Sequence, residues 1–142
     1  YDKSVNFINS NILKFNFSKI GKFDVIFCSN IIEHLSQEEG KILLIKLRDI
    51  LNPNGLIIII QPNFKYCYKS YFDDYTHQSI YTDVSMMGLL KSLNFKIQNC
   101  RPKFLPFSLN SFLPKTYFLT FIYIKLHFSL FSGQMMIVAK KN

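Results

Sequence analysis

Phe23-Asp24-Val25-Ile26-Phe27-Cys28-Ser29-Asn30-Ile31-Ile32-Glu33-His34-Leu35 is the stretch on which the reading of this chain turns. Asp24 enters an unbroken apolar run, Val25 to Cys28, and Ser29-Asn30 leaves it. Such a run without alternation predicts a strand covered on both faces, as in a parallel sheet. Immediately downstream, Ser36 and Glu39 form an S-x-x-E capping box, which satisfies the first orphan amides of a helix. Leu43, Leu47, Ile50 and Leu51 then fall on one helical face. Asn52-Pro53-Asn54-Gly55 stops the helix, because proline cannot continue the ladder and glycine accepts positive φ. Leu56 to Ile60 comes next as a second buried strand, ended by Pro62.

Upstream, Val5 to Ile8 is a brief strand candidate, and Asn9-Ser10-Asn11 breaks it. A polar, aromatic loop is expected from Asn63 to about Tyr81. Thr82 or Asp83 caps a second helix through Met86, Leu89, Leu90 and Leu93. Phe95 to Cys100 alternates like a strand, and Pro102, Pro106 and Pro114 break up the next stretch. Tyr117 to Phe131 is expected to be a helix, with a last strand from Met135 to Ala139. Strands alternating with helices define an α/β layer fold.

Composition narrows the function classes. At 142 residues the chain suits one domain. The net charge of +8 comes from 17 basic against 9 acidic residues, but only Arg48 and Arg101 are arginines. Lysine is a hydrated point charge rather than a bidentate reader, so the basicity is read as compositional bias and nucleic acid is not an expected partner. Cys28, Cys67 and Cys100 are widely spaced, which supports neither a disulfide framework nor a zinc site and points to the reducing cytoplasm. The chain opens on Tyr1 rather than methionine, so a fragment is expected.

Four of these segments together resemble a known family. Phe23 to Leu35 is similar to the fourth-strand motif of class I S-adenosylmethionine-dependent methyltransferases. Leu51-Asn52-Pro53-Asn54-Gly55 resembles the family's L-x-P-G-G turn, with Asn54 in place of the first glycine. Asp74-Tyr75-Thr76-His77, then Leu89-Leu90 to Asn94-Phe95, resemble the D-x-T-H … LL … GF run of small-molecule members. The ubiquinone-biosynthesis O-methyltransferases and the sugar and polysaccharide methyltransferases are the similar branches. The resemblance implies a partial Rossmann-like methyltransferase sheet with helices on both faces and an antiparallel last strand. It also implies S-adenosylmethionine as cofactor. The family's glycine-rich cofactor loop has no counterpart among Gly21, Gly40, Gly55, Gly88 and Gly133, none of which approach a G-x-G spacing. Residues 1–142 are therefore expected to be the C-terminal portion of a single methyltransferase domain, inactive alone, with 104–132 as a hydrophobic insert before the last strand. The edge of the strand at 24–29 is then expected to be left unpaired or covered by the first strand.

By the same resemblance, Asn11 and Ile12 would contact the adenine, and Ser29 and Asn30 would meet the methionine end of the cofactor. Asn11 also serves as an ordinary turn cap. His77 and His34 are candidate general bases, since an imidazole can take a hydroxyl proton, with Asp74 as the orienting partner of His77. Glu33 and His34 are adjacent and diverge by about 100° on a helical turn, so they are not expected to serve one ligand together. Ubiquinone-type relatives read E-x-x-E-H here and can hold a divalent metal. Asn30 replaces the first glutamate, leaving a weaker site for a hard cation, and no metal is expected. Phe64 to Phe72 interleaves aromatics with Lys65 and Lys69, as a pocket wall or a surface loop.

The implied reaction is methyl transfer to a small-molecule acceptor, lipid- or sugar-linked if the apolar segment 104–131 caps its pocket. That segment also suits peripheral membrane contact, although burial against the domain accounts for it as well. Two other readings stay open: a non-catalytic methyltransferase-like binding domain, and a basic module for membrane or nucleic acid.

Overall fold

The computed structural model describes residues 5–106 and 132–142, the side chain of residue 106 excepted. The expected helix at Tyr117–Phe131 and most of the apolar insert lie outside the described residues. Seven elements carry the fold: β1 (Phe23–Ser29), α1 (Gln37–Asp49), β2 (Leu51–Pro62), α2 (Phe64–Cys67), α3 (Asp83–Ser92), β3 (Phe95–Pro106) and β4 (Ser132–Lys141). Short 3-10 turns occupy Phe17–Lys19, Ile32–His34 and Tyr71–Asp73. The sheet order is β1-β2-β4-β3. β1 and β2 are parallel, and β4 runs antiparallel to both its neighbours, as the resemblance implied.

Register sorts the strand residues onto two faces. Cys28 opposes Ile59, Ile59 opposes Ile137, and Ile57 opposes Ala139, so these side chains share one face. Leu43, Leu44 and Leu47 of α1 and Met86 and Leu90 of α3 join them in one core cluster. Both long helices thus cover the same face. Val25 and Phe27, on the other face of β1, are 51% and 62% exposed. The continuous apolar run in β1 is therefore covered on one face only among the described residues.

The helix starts obey their local signals closely. Ser36 Oγ accepts the Glu39 amide while Glu39 accepts the Ser36 amide and hydroxyl. Thr82 caps α3 in the same reciprocal way with Ser85. Two expectations need correction, and a third is decided between its two alternatives. Val5 to Ile8 forms no strand and is exposed, because a run of four residues is at the short limit for a strand. Among the described residues β1 pairs only with β2, so its outer edge carries no strand. β2 begins at Leu51, earlier than the turn residues suggested, and Leu51 belongs to the sheet rather than to the helix.

Asn52 to Gly55 then form an outward bulge, since Phe23 pairs Leu51 but Val25 pairs Leu56. Asn54 turns the chain at φ 66°. A Cβ on Gly55 would lie 3.0 Å from the Asn52 carbonyl and 3.2 Å from that of Phe23, so only glycine fits the close approach. No helix of the described residues is long and apolar enough to cross a membrane.

Candidate functional site

The site builds up from the carboxyl ends of β1 and β2, where open α/β sheets gather ligands. Ser29 is half-buried at the end of β1, and Asn30 leaves it at φ 50° and exposed. The Asn30 amide donates to Ile60 of β2 at 2.9 Å, and its side-chain oxygen accepts from Gln134 of β4 at 3.3 Å. Asn30 therefore ties the strand ends together. The chain next forms the turn Ile32–His34, with Ile32 inserted into the core.

A second segment is sewn onto that turn. The amides of Gln78 and Ser79 both donate to the Glu33 carbonyl, at 2.8 and 3.1 Å. Gln78 Nε2 donates to the His34 carbonyl at 2.8 Å, and Ser79 Oγ to that of Leu35 at 2.7 Å. These four bonds bring His77 to the turn. The His34 and His77 rings stand 4.9 Å apart, and His77 also packs on Tyr71 at 4.4 Å. A carboxylate oxygen of Glu33 and one ring nitrogen from each histidine all lie within 4.8 Å of one another. This corrects the expected divergence of Glu33 and His34. Neighbours on a turn leave in different directions, but long side chains converge once the His77 loop is clamped beside them.

The hydrogen bonds assign the ring protons. His77 Nδ1 sits 2.7 Å from the Tyr71 carbonyl, which can only accept, so Nδ1 carries the proton and Nε2 the lone pair of the neutral ring. Thr76 Oγ1 donates to Asp74 Oδ1 at 2.5 Å and turns a lone pair to His34 Nδ1 at 2.9 Å. His34 Nδ1 is therefore also the protonated nitrogen. The orienting partner expected for His77 changes: the Tyr71 carbonyl aims it, while Asp74 acts on His34 through Thr76. Asp74 Oδ2 still lies 3.8 Å from His77 Nε2. The Thr76 hydroxyl and amide hold the Asp74 carboxyl below its ordinary value.

Glu33 is the residue whose weight the sequence concealed. It is 1% exposed, and neither carboxylate oxygen has a hydrogen-bond partner in another residue among the described residues. Burial pushes its pKa up, against the pull of its own backbone amide and the two histidines. Gln61, at the carboxyl end of β2, is equally buried, and both its amide atoms lack partners among the described residues. Nothing in the spacing of Gln61 or Tyr71 marked them, and Glu33 was marked only as a neighbour of His34, because their burial depends on the loop that closes over them.

Asn11 and Ile12 lie apart from this centre in the segment before β1. Asn11 Oδ1 accepts the amides of Leu13 and Lys14 at 3.0 and 3.3 Å, capping a turn, and Ile12 is half-buried against the core. In the loop from Phe64 to Phe72, Tyr71 is buried, whereas Tyr68 and Phe72 are exposed. Lys103 lies over the Tyr66 ring at 4.6 Å.

Together, the sheet order, the antiparallel last strand and the site at the carboxyl ends of β1 and β2 give the chain the class I S-adenosylmethionine-dependent methyltransferase fold. The chain resembles a SAM-dependent methyltransferase from Archaeoglobus fulgidus, with a TM-score of 0.66 and 20% identity over 99% of this chain and 69% of that one. It is also similar to the N-methyltransferase NodS from Bradyrhizobium japonicum WM9, solved with S-adenosyl-L-homocysteine (TM-score 0.59, 10% identity, 93% and 52% covered). A third likeness is to magnesium protoporphyrin IX methyltransferase from Synechocystis PCC 6803 (TM-score 0.57, 12% identity, 96% and 50% covered). At the sequence level, residues 1–62 match the family described as CheR methyltransferase, SAM binding domain. A chemotaxis protein methyltransferase, Cher2 of Pseudomonas putida, is 31% identical over 55 residues, which are 39% of this chain and 20% of that protein. The match thus spans a fifth of the curated relative.

Proposed function

We propose that this chain is the C-terminal portion of an S-adenosylmethionine-dependent methyltransferase, with residues 104–132 as the insert before its last strand, and that the acceptor is a small molecule deprotonated by His77 or His34. The observation that carries this reading is the pair of imidazoles beside the carboxyl ends of β1 and β2. Their Nδ1 protons are committed to the Tyr71 carbonyl and to Thr76, which leaves Nε2 as the basic atom on each. The residues present fit one side of the cofactor. Ser29 offers a hydroxyl at the strand end, Asn30 an exposed amide, and Asn11 its amide nitrogen, since its oxygen is taken by its own turn. S-adenosylmethionine supplies a methyl carbon on a sulfonium; as the acceptor's lone pair attacks it, the carbon–sulfur pair leaves with S-adenosylhomocysteine.

The side chains of this chain hold the acceptor in line and move one proton. An acceptor hydroxyl passes its proton to His77 Nε2, and Asp74 Oδ2 and Glu33 stabilise the imidazolium that forms. His34, aimed by the Thr76–Asp74 pair, is the alternative base on the same centre. Orientation and exclusion of water supply the remaining acceleration.

A second reading, a protein acceptor, draws on the sequence match of residues 1–62 to the CheR family. Methyl-labelled S-adenosylmethionine supplied to the full natural chain in a cell extract separates the two, since label enters either the small-molecule or the protein fraction. For a hydroxyl acceptor, His77→Gln is expected to lower kcat by about 10²–10⁴-fold with KM for the cofactor unchanged. Full rates in both His77→Gln and His34→Gln would remove the base assignment. No cofactor binding by calorimetry would leave the non-catalytic binding domain.

A further inference from the structure

We infer that the aromatic and basic surface formed by α2, the loop after it and the end of β3 is a docking face for an anionic lipid bilayer. The segment from Phe64 to Phe72 divides its side chains by direction. Cys67 and Tyr71 are buried, whereas Lys65, Tyr66, Tyr68, Lys69 and Phe72 are exposed. Half-buried Phe64 is the hub, with the rings of Tyr68 and Phe72 each 6.5 Å from its own. The Asn63 side chain donates to the Pro102 carbonyl at 3.0 Å, which brings the end of β3 alongside α2. There Lys103 lies over the Tyr66 ring at 4.6 Å, and Lys65 approaches the same ring at 5.7 Å. Arg101 sits over Phe104 at 6.0 Å.

Charge and ring chemistry select the partner. At a bilayer surface, tyrosine and phenylalanine rings sit at headgroup depth while lysines carry their ammonium ends to the phosphates. Tyr68 and Phe72 are 57% and 58% exposed, and the cations stand beside them. Among the described residues, none of Lys65, Lys69, Arg101 and Lys103 is in an ion pair. The acids of the same loop are Asp73 and Asp74, and Asp74 accepts from Thr76. Four cations against two acids leave the patch positive, as an anionic surface requires. Single-stranded nucleic acid instead stacks its bases on open ring faces. Here the Tyr66 ring carries two ammonium groups, and Tyr68 and Phe72 stand tilted by 59° and 64° to Phe64. A fluid lipid surface makes no such demand for parallel platforms.

This inference does not depend on methyl transfer, and its test needs no cofactor. The full natural chain is sedimented with vesicles of phosphatidylcholine, alone or mixed with phosphatidylglycerol. Binding is expected only to the anionic vesicles and should fall as salt is raised. Lys65→Glu with Lys69→Glu should weaken it by at least about 20-fold, since each lysine near such a surface is worth about 5-fold. Lys41→Glu with Lys91→Glu, exposed on α1 and α3, makes the same change of net charge and should leave binding within about 2-fold. Phe72→Trp, which keeps a ring at the patch, should shift its emission to the blue on anionic vesicles and be quenched by brominated lipid. Ile42→Trp, on α1, should do neither. Equal losses in the two charge-reversed pairs would reduce the binding to net charge and overturn the proposal. So would no binding to anionic vesicles, an unshifted Phe72→Trp signal, or retention on single-stranded oligouridylate without vesicle binding.

Discussion

Two buried polar groups in this molecule lie at opposite extremes of satisfaction. Asn63, at the end of β2, is 0% exposed and fully partnered. Its amide donates to the Gly133 carbonyl, Nδ2 to Asp83 Oδ1 at 2.9 Å and to the Pro102 carbonyl at 3.0 Å, and its side-chain oxygen accepts from Lys65. Asn63 therefore joins β2, α3, β3 and β4 at one point. Glu33 is as deeply buried, and among the described residues its carboxylate has no partner in another residue. The fold closes every bond around the first group and leaves the second open toward two histidines. Closed polar sites hold structure together, whereas open ones store a requirement that a proton or ligand meets.

Asn63→Ala puts this contrast to its most severe test. It leaves the buried Asp83 carboxylate and the Pro102 carbonyl short of a donor, and should cost about 3 kcal/mol in urea unfolding. A cycle with Asp83→Ala should return a coupling of about 1.5–3 kcal/mol; additive losses would mean that the pair is not a unit. Glu33→Gln, measured at neutral pH, should behave oppositely. It removes a charge that burial disfavours, so stability should rise or stay within about 1 kcal/mol of the natural chain. A loss as large as that of Asn63→Ala would show that Glu33 is a closed structural group after all.

Thiols read the same contrast more finely. Burial, helped by the nearby Glu33 charge, pushes Cys28 up to about 12, and burial pushes Cys67 up to about 11. In the folded protein at pH 8, half-buried Cys100 should react with a thiol-specific disulfide well before either. Faster labelling of Cys28 would show that the centre opens in solution.

Glu39 gives the smallest effect. It is a half-buried carboxylate with partners, and its pKa is lowered first by the Ser36 amide and then by the Ser36 hydroxyl. A depressed folded pKa means that the stabilisation is fully present above the ordinary glutamate value of 4.5 and is lost as pH falls through the lowered one. Glu39→Gln should therefore be slightly less stable at neutral pH and converge with the natural chain in acid. A gap that persists at low pH would assign the effect to packing.

Much of the fold was legible because its signals are local. Ser36 and Glu39, and Thr82 before α3, announced two helix starts, since a cap is complete within four residues. Asn54 and Asn94, which stand where the resembling family has glycine, have φ of 66° and 61°. Asparagine is among the few other residues that tolerate the left-handed region, so the turns survive the replacement. Val5 to Ile8 misled, because a short apolar run states a capacity for strand that the rest of the fold need not use. Val25 and Phe27 misled likewise, because a continuous run cannot tell which face is covered.

The site was legible only in its parts. His34, His77 and Asp74 were chosen by resemblance, and the structure brings them together with a different set of orienting contacts. The amino-acid order alone specified the alternation of strands and helices, the caps and turns, and the histidines available for chemistry. Each of these depends on periodicity or on neighbours a few residues apart. Tertiary packing was needed to bury Glu33 without partners, to aim His77 with the Tyr71 carbonyl, and to close Asn63 with four elements. Those outcomes depend on bonds between segments up to 70 residues apart, whose pairing comes from packing the whole sheet rather than from any window of the chain.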